Sequence, residues 1–325
     1  MTKPAILAMT NVAPMFVDLL RTQFTVHFSQ ELDNPGVPVN EIRAIAANGE
    51  SVVGRALLDR LPSVELIAVM GVGYDRVDVP FAIDRGIDVT HTPAVLNEDV
   101  ADLAIGLMLG WARQIPIADQ FVRAGQWLQG QLPLGRRLSG CRLGIVGMGR
   151  IGQAIAKRAA AFDMEIAYTT RRRNSEVDLP HVPDVVALAK RSDYLVVIVP
   201  GGDQTRHLIN AEVLDALGPN GCLVNVARGS VVDQAALVAA LEAGNLAGAA
   251  LDVFADEPSV SSALRALPNV VLTPHIGSAT TSTRRAMAEL AMANIVARFS
   301  CRPLRTPVPE CAVRPAPRTQ SSAMT

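Results

Sequence analysis

The stretch Leu143-Gly-Ile-Val-Gly147-Met-Gly149-Arg150-Ile151-Gly152-Gln-Ala-Ile-Ala constrains this chain more than any other part of it. A short apolar run ends in three glycines spaced G-x-G-x-x-G, and an amphipathic run opens directly behind them. In such a turn Gly147 permits the tight reversal, Gly149 lets a ligand reach the backbone, and Gly152 lets helix and strand pack closely. A helix N-terminus then points its unpaired amides at a pyrophosphate. The strand–loop–helix context predicts a dinucleotide-binding βαβ unit.

The rest of the chain repeats the alternation. Before the glycine turn, strands are predicted at Ala5–Met9, Thr25–Phe28, Ala44–Ala47, Leu66–Met70 and Asp88–Thr90. Helices are predicted between them at Pro14–Thr22, Gly54–Leu61 and Val79–Arg85. After it, strands are predicted at Leu143–Gly147, Glu165–Thr169, Tyr194–Val199, Leu223–Val226, Ala249–Val253 and Val270–Leu272, with helices at Arg150–Ala161, Ala211–Ala216, Gln234–Ala243 and Thr283–Ser300. Repeated β-α-β implies parallel sheets covered by helices. Between the two series, Asn97 to Trp127 reads as one long helical run capped by Asn97 and linking two lobes. From Arg302 on, five prolines punctuate a polar tail with little to bury, and its end is expected to fray.

Composition excludes several classes. With 325 residues, about two domains are expected. A net charge of −1 gives no global case for nucleic acid or an anionic membrane. Cys141, Cys222, Cys301 and Cys311 form no C-x-x-C pair and have no histidine at zinc spacing, so neither a metal site nor a disulfide framework is expected. Cys222 reads as a core residue. That cysteine usage suits a reducing, cytoplasmic compartment. The longest strongly apolar stretch, Ala104 to Ala112, is too short to span a bilayer.

The strand after the glycine turn chooses the cofactor. A site for NAD usually places Asp or Glu at its end to bond the ribose hydroxyls. Here the sequence reads Tyr168-Thr169-Thr170-Arg171-Arg172-Arg173. A hydroxyl and guanidinium groups would hold a 2′-phosphate that a carboxylate would repel. NADP is therefore expected, with NADPH preferred over NADH.

Three segments close apolar strands with reactive side chains: Val224-Asn-Val-Ala-Arg228-Gly, Leu251-Asp252-Val-Phe-Ala-Asp-Glu257-Pro and Leu272-Thr-Pro-His275-Ile-Gly277-Ser278. Strand carboxyl ends border the ligand crevice in doubly wound sheets. Carbonyl reduction builds negative charge on oxygen, which calls for a proton donor such as His275. A carboxylate, Glu257, would support the imidazole, and Arg228 would clamp a substrate carboxylate. The other histidines, His27, His91, His181 and His207, are expected to be structural or surface residues.

These strings, with Gly71-Val72-Gly73-Tyr74-Asp75 and Asn97-Glu-Asp-Val-Ala-Asp102, resemble the D-isomer-specific 2-hydroxyacid dehydrogenase family up to about Pro309. Within it, Phe121-Val-Arg-Ala-Gly-Gln-Trp127 and Thr170-Arg171-Arg172 look most like the NADPH-linked glyoxylate/hydroxypyruvate reductase branch. The resemblance implies an α/β fold of two doubly wound parallel-sheet domains. A Rossmann cofactor domain (99–285) would be inserted in a flavodoxin-like substrate domain (1–98 and 286–325). It implies that Arg228, Glu257 and His275 are catalytic, and that the backbone around Val72, Gly73 and Tyr74 holds the substrate carboxylate.

The resemblance also implies that Asp252 and the carbonyl of Ala227 bond the nicotinamide carboxamide. Arg150, Ile151, Thr205 and Gly277 would complete the cofactor site, although Gly201 and Gly202 replace a commoner Pro or Leu stretch beside Thr205. A homodimer built on the long helix is expected, with Trp127 either near a pocket across it or packed under a loop. The implied reaction is reduction of glyoxylate or hydroxypyruvate. The alternatives are 2-ketogluconate or an arylpyruvate as substrate, or a nucleotide-sensing corepressor that shares the fold.

Overall fold

The computed structural model describes residues 3–312. The chain divides into two compact units, Met1–Val95 with Arg284–Thr325, and Leu96–Thr283.

The first unit opens with β1 (Ala5–Ala8), α1 (Pro14–Arg21), β2 (Thr25–Phe28), β3 (Ile42–Asn48), α2 (Arg55–Leu58), β4 (Leu66–Met70), α3 (Val79–Asp84) and β5 (Asp88–Thr90). The five strands form one parallel sheet in the order β2-β1-β3-β4-β5. This is the flavodoxin-like winding. Strands β1 and β4 are buried along their whole length, so they read as continuous apolar runs with no alternation. Leu7, Ile42, Ile45, Leu58, Leu61, Ile67 and Val89 form the core of this unit.

The second unit holds α4 (Asn97–Ala112), α5 (Ile115–Arg123), β6 (Arg142–Val146), α6 (Arg150–Ala160), β7 (Glu165–Thr169), α7 (Val185–Lys190), β8 (Tyr194–Val197), α8 (Ala211–Leu217), β9 (Cys222–Asn225), α9 (Gln234–Glu242), β10 (Gly248–Leu251), α10 (Ser262–Ala266) and β11 (Val270–Leu272). Its parallel sheet runs β11-β10-β9-β8-β6-β7. A parallel bridge from Tyr168 to His181 extends the sheet by one further rung beyond β7. The winding reverses between β6 and β8, so the glycine turn after β6 stands at the switch point, where open α/β sheets bind ligands. α11 (Thr281–Phe299) then carries the chain back to the first unit, and α12 (Pro309–Ala312) ends the described residues.

Most elements lie within a few residues of their predicted bounds, and three features correct the sequence reading. The run from Asn97 to Trp127 is two helices at 58°, not one. The break falls at Gln114, in left-handed backbone (φ 54°), just before Pro116 at the start of α5. Proline lacks the N–H that would continue α4. Asn97 is the first helical residue; the N-cap is Leu96, with no side-chain bond. α4 falls within the second unit, packed on α6, with Val100, Ala101, Ala104, Leu107 and Met108 buried. Arg158 of α6 binds both Glu98 (2.8 Å) and Asp102 (2.5 Å) at its first turns.

The tail also departs from expectation. Val308 N donates to Val89 O (2.9 Å), and Val308 and Cys311 are buried in the first core. The part expected to fray, beyond residue 312, lies outside the described residues. No single helix among the described residues is long and apolar enough to cross a membrane.

Candidate active site

The row Val146, Val197, Asn225, Leu251, Leu272 is in register across β6, β8, β9, β10 and β11. Every loop that leaves these residues therefore starts from one edge of the sheet. At about 4.8 Å per strand, the row spans about 19 Å from the glycine turn to the histidine loop.

At the β6 end, Gly147 takes φ +106°, and a Cβ there would collide with the Ile198 carbonyl. A Cβ on Gly152 would collide with the carbonyl of Gly147, so α6 packs against the turn itself. A Cβ on Gly149 would meet nothing within 4 Å. The N-terminus of the 11-residue α6, beginning Arg150-Ile151, opens beside that space. A pyrophosphate fits this cradle.

Beyond β7, Thr170 Oγ1 donates to Arg172 O (2.7 Å), and Arg171, Arg172 and Arg173 are exposed. Arg171 donates to Gln204 Oε1 in the loop after β8. Thr205 in that loop donates to Pro200 O (2.7 Å), and Gly202 takes φ +120°.

At the β9 end, buried Asn225 shapes the turn. Its Oδ1 accepts from Ala227 N (3.0 Å) and its Nδ2 donates to Arg228 O (3.0 Å). The Arg228 guanidinium leaves this turn and donates to Ala227 O (2.7 Å). At the β10 end, the carboxylate of Asp252 accepts from Thr273 Oγ1 (2.6 Å), Ile276 N (2.8 Å) and Gly277 N (2.8 Å). Burial pushes this carboxyl above the usual range, against those three donors. His275 N donates to Asp252 O (2.9 Å). His275 itself sits at φ +52°, a conformation that non-glycine residues seldom adopt. The bonds from Asp252 to both sides of it hold that geometry.

Glu257 and His275 meet. Glu257 Oε2 lies 2.7 Å from His275 Nδ1, and Glu257 Oε1 accepts from Phe254 N (2.8 Å). The carboxylate is mostly buried and the imidazole partly open. Both carboxylate oxygens are thus placed, which fixes the ring's orientation.

The first unit presents a second loop at its own strand edge. Val72, Gly73 and Tyr74 follow β4. His91 Nδ1 lies 3.0 Å from Val72 O, and its ring meets that of Tyr74 edge to face. Tyr74 Oη donates to Glu310 Oε2 (3.1 Å). Partial burial and the Glu310 charge push the phenol up to about 12.

The model of the D-isomer specific 2-hydroxyacid dehydrogenase NAD-binding domain matches residues 105–277. A glyoxylate/hydroxypyruvate reductase A of Arabidopsis thaliana is 48% identical over 269 residues, 83% of this chain and 86% of that protein. The chain belongs to the D-isomer-specific 2-hydroxyacid dehydrogenase family. A 2-ketogluconate reductase of Gluconobacter oxydans is 44% identical over 94% of this chain and 99% of that protein. Among solved structures, an NADPH-dependent glyoxylate/hydroxypyruvate reductase from Sinorhizobium meliloti, in complex with NADP and malonate, superimposes with a TM-score of 0.90. It is 44% identical and covers 97% of this chain and 99% of that one.

As a member of the family, this chain is an NAD(P)-dependent oxidoreductase with two parallel-sheet α/β units. Sequence reasoning passed over Asn225, which ties down the turn carrying Arg228, although an Asn closing an apolar strand was visible. It passed over the way Asp252 organises residues 273–277. His91 and His181 reach loop carbonyls, Val72 O and Thr170 O (both 3.0 Å), that nothing in the sequence foretold.

Proposed function

We propose that this dehydrogenase reduces small 2-oxo acids, foremost glyoxylate and hydroxypyruvate, to 2-hydroxy acids with NADPH. The Glu257–His275 pair carries the reading, because it is a built proton donor at the strand edge that also bears the glycine turn.

A nicotinamide dinucleotide supplies the hydride when bound. The chain's own residues do the rest. With Nδ1 turned to Glu257, His275 gives its proton to the nascent alkoxide from Nε2. Glu257 stabilises the imidazolium and fixes the tautomer. Arg228 binds the substrate carboxylate and polarises the carbonyl. Val72, Gly73 and Tyr74 are assigned to the same carboxylate through their backbone. Gly147, Gly149, Arg150 and Ile151 are assigned to the pyrophosphate, and Thr170, Arg171 and Arg172 to the 2′-phosphate. Thr205, Ala227, Asp252 and Gly277 are assigned to the remainder of the cofactor.

The absence of an acid at the end of β7, where Thr169-Thr170-Arg171 stand, supports NADPH over NADH. A cytoplasmic setting is supported by four cysteines that are all unbridged. A homodimer is supported by α5, none of whose residues is buried, and by Trp127, Leu128 and Leu134 exposed behind it. Sedimentation at the mass of a single chain would remove the dimer.

A second reading takes 2-ketogluconate as substrate, favoured by the near-complete coverage of the Gluconobacter relative. Purified enzyme should be assayed with glyoxylate, hydroxypyruvate, phenylpyruvate and 2-ketogluconate under both cofactors. Highest kcat/KM for one of the first two acids with NADPH is expected. A higher value for 2-ketogluconate would hand the substrate to the second reading.

A further inference from the structure

The arginines after β7 stand on a short arch, and both feet of that arch are fixed. At one foot, His181 Nε2 lies 3.0 Å from Thr170 O. At the other, Asn174 N donates to Tyr168 Oη (3.1 Å), and Tyr168 Oη donates to Asn174 O (3.3 Å). Tyr168 is fully buried in β7, paired with Ile145 of β6, so its hydroxyl is a fixed point beneath the arch.

The Asn174 side chain reaches further. Its Nδ2 donates to Met148 O (3.2 Å), in the middle of the glycine turn. Its Oδ1 accepts from Glu176 N (3.0 Å). One partner demands a donor and the other an acceptor, so the amide has one orientation only. A single side chain therefore ties the segment carrying the arginines to the turn that would cradle a pyrophosphate.

We infer that Asn174, seated on Tyr168, is a positioning residue for cofactor discrimination. It fixes the spacing between the pyrophosphate cradle and the arginine arch, and so presents Arg171 and Arg172 to a 2′-phosphate already in register. The inference rests on the NADPH reading above. A tethered arch loses less freedom on binding than a loose one, and that advantage acts only on the dinucleotide that carries the extra phosphate. NAD needs the glycine turn but not the arch.

The test is the pair of dissociation constants for NADP+ and NAD+, measured by calorimetry without substrate. It uses the wild-type protein, Asn174→Ala, Tyr168→Phe and the double variant Arg171→Ala/Arg172→Ala. Removing one such hydrogen bond should weaken NADP+ binding by about tenfold. NAD+ binding should stay at the wild-type value. Tyr168→Phe keeps the buried ring and should act in the same direction, which guards against a fold lost at position 174.

If the wild type favours NADP+, and the double arginine variant loses that preference while Asn174→Ala and Tyr168→Phe keep it, the tether is wrong and the NADPH reading stands. Equal weakening toward both dinucleotides would mark Asn174 as a merely structural residue and also overturn the inference. A wild type that binds NAD+ more tightly would remove the NADPH reading and the tether together.

Discussion

Replacing His275 with alanine should lower kcat for 2-oxo acid reduction by about two to four orders of magnitude. NADPH binding, measured by calorimetry, should not change. The loss is large because no second proton donor is assigned to the reaction, and the alkoxide formed by hydride addition is strongly basic. The Glu257→Gln variant should fall between wild type and His275→Ala. Glutamine can still accept from Phe254 N through its carbonyl, but it offers no carboxylate to the Nδ1 side of the ring. A His275→Ala enzyme with full turnover would remove the imidazole from the mechanism.

The second large effect concerns the cofactor. Thr170 directly follows the last residue of β7, Thr169, where a site for NAD carries an acid. Thr170→Asp puts a negative charge beside the arginine arch and removes the bond to Arg172 O. A 2′-phosphate would then meet repulsion where it had met charge-assisted hydrogen bonds. The ratio of kcat/KM for NADPH over NADH should drop by about ten- to a hundredfold, the worth of one lost charged hydrogen bond. The double variant Arg171→Ala/Arg172→Ala should move the ratio the same way without adding charge. A ratio unmoved by both changes would take the 2′-phosphate away from this loop.

Much of the architecture was legible because parallel, doubly covered strands leave continuous apolar runs, as in Leu66–Met70 and Tyr194–Val197. The glycine turn was legible because its spacing reflects backbone collisions, with Ile198 O and Gly147 O standing where side chains would be. Two short helices were not. Val185–Lys190 has the branched composition of a strand, and only Asp184, whose carboxylate accepts from Ala187 N (2.7 Å), marks its start. Ser261 does the same for Ser262–Ala266. The break after α4 was missed because Pro116 was visible but the left-handed turn at Gln114 was not.

At the candidate site, Arg228, Glu257 and His275 stood out in the sequence by type and by their place at strand ends. Their supports did not. Asn225, Asp252, His91 and Asn174 act on backbone groups of loops, and such bonds depend on tertiary position rather than local pattern. Asp252 illustrates the difference: the family resemblance implied contact with the cofactor, but nothing in the sequence foretold that its two oxygens hold the turn on which His275 stands.

In the proposed reaction His275, backed by Glu257, faces the oxygen of the substrate carbonyl. The most direct test is a crystal structure of the enzyme with NADP and the unreactive 2-oxo acid analogue oxamate. Nε2 of His275 is expected at about 3 Å from the analogue's carbonyl oxygen, with Nδ1 still on Glu257 and Arg228 on the carboxylate. An analogue bound beside the nicotinamide with its carbonyl turned away from His275 would contradict that mechanism.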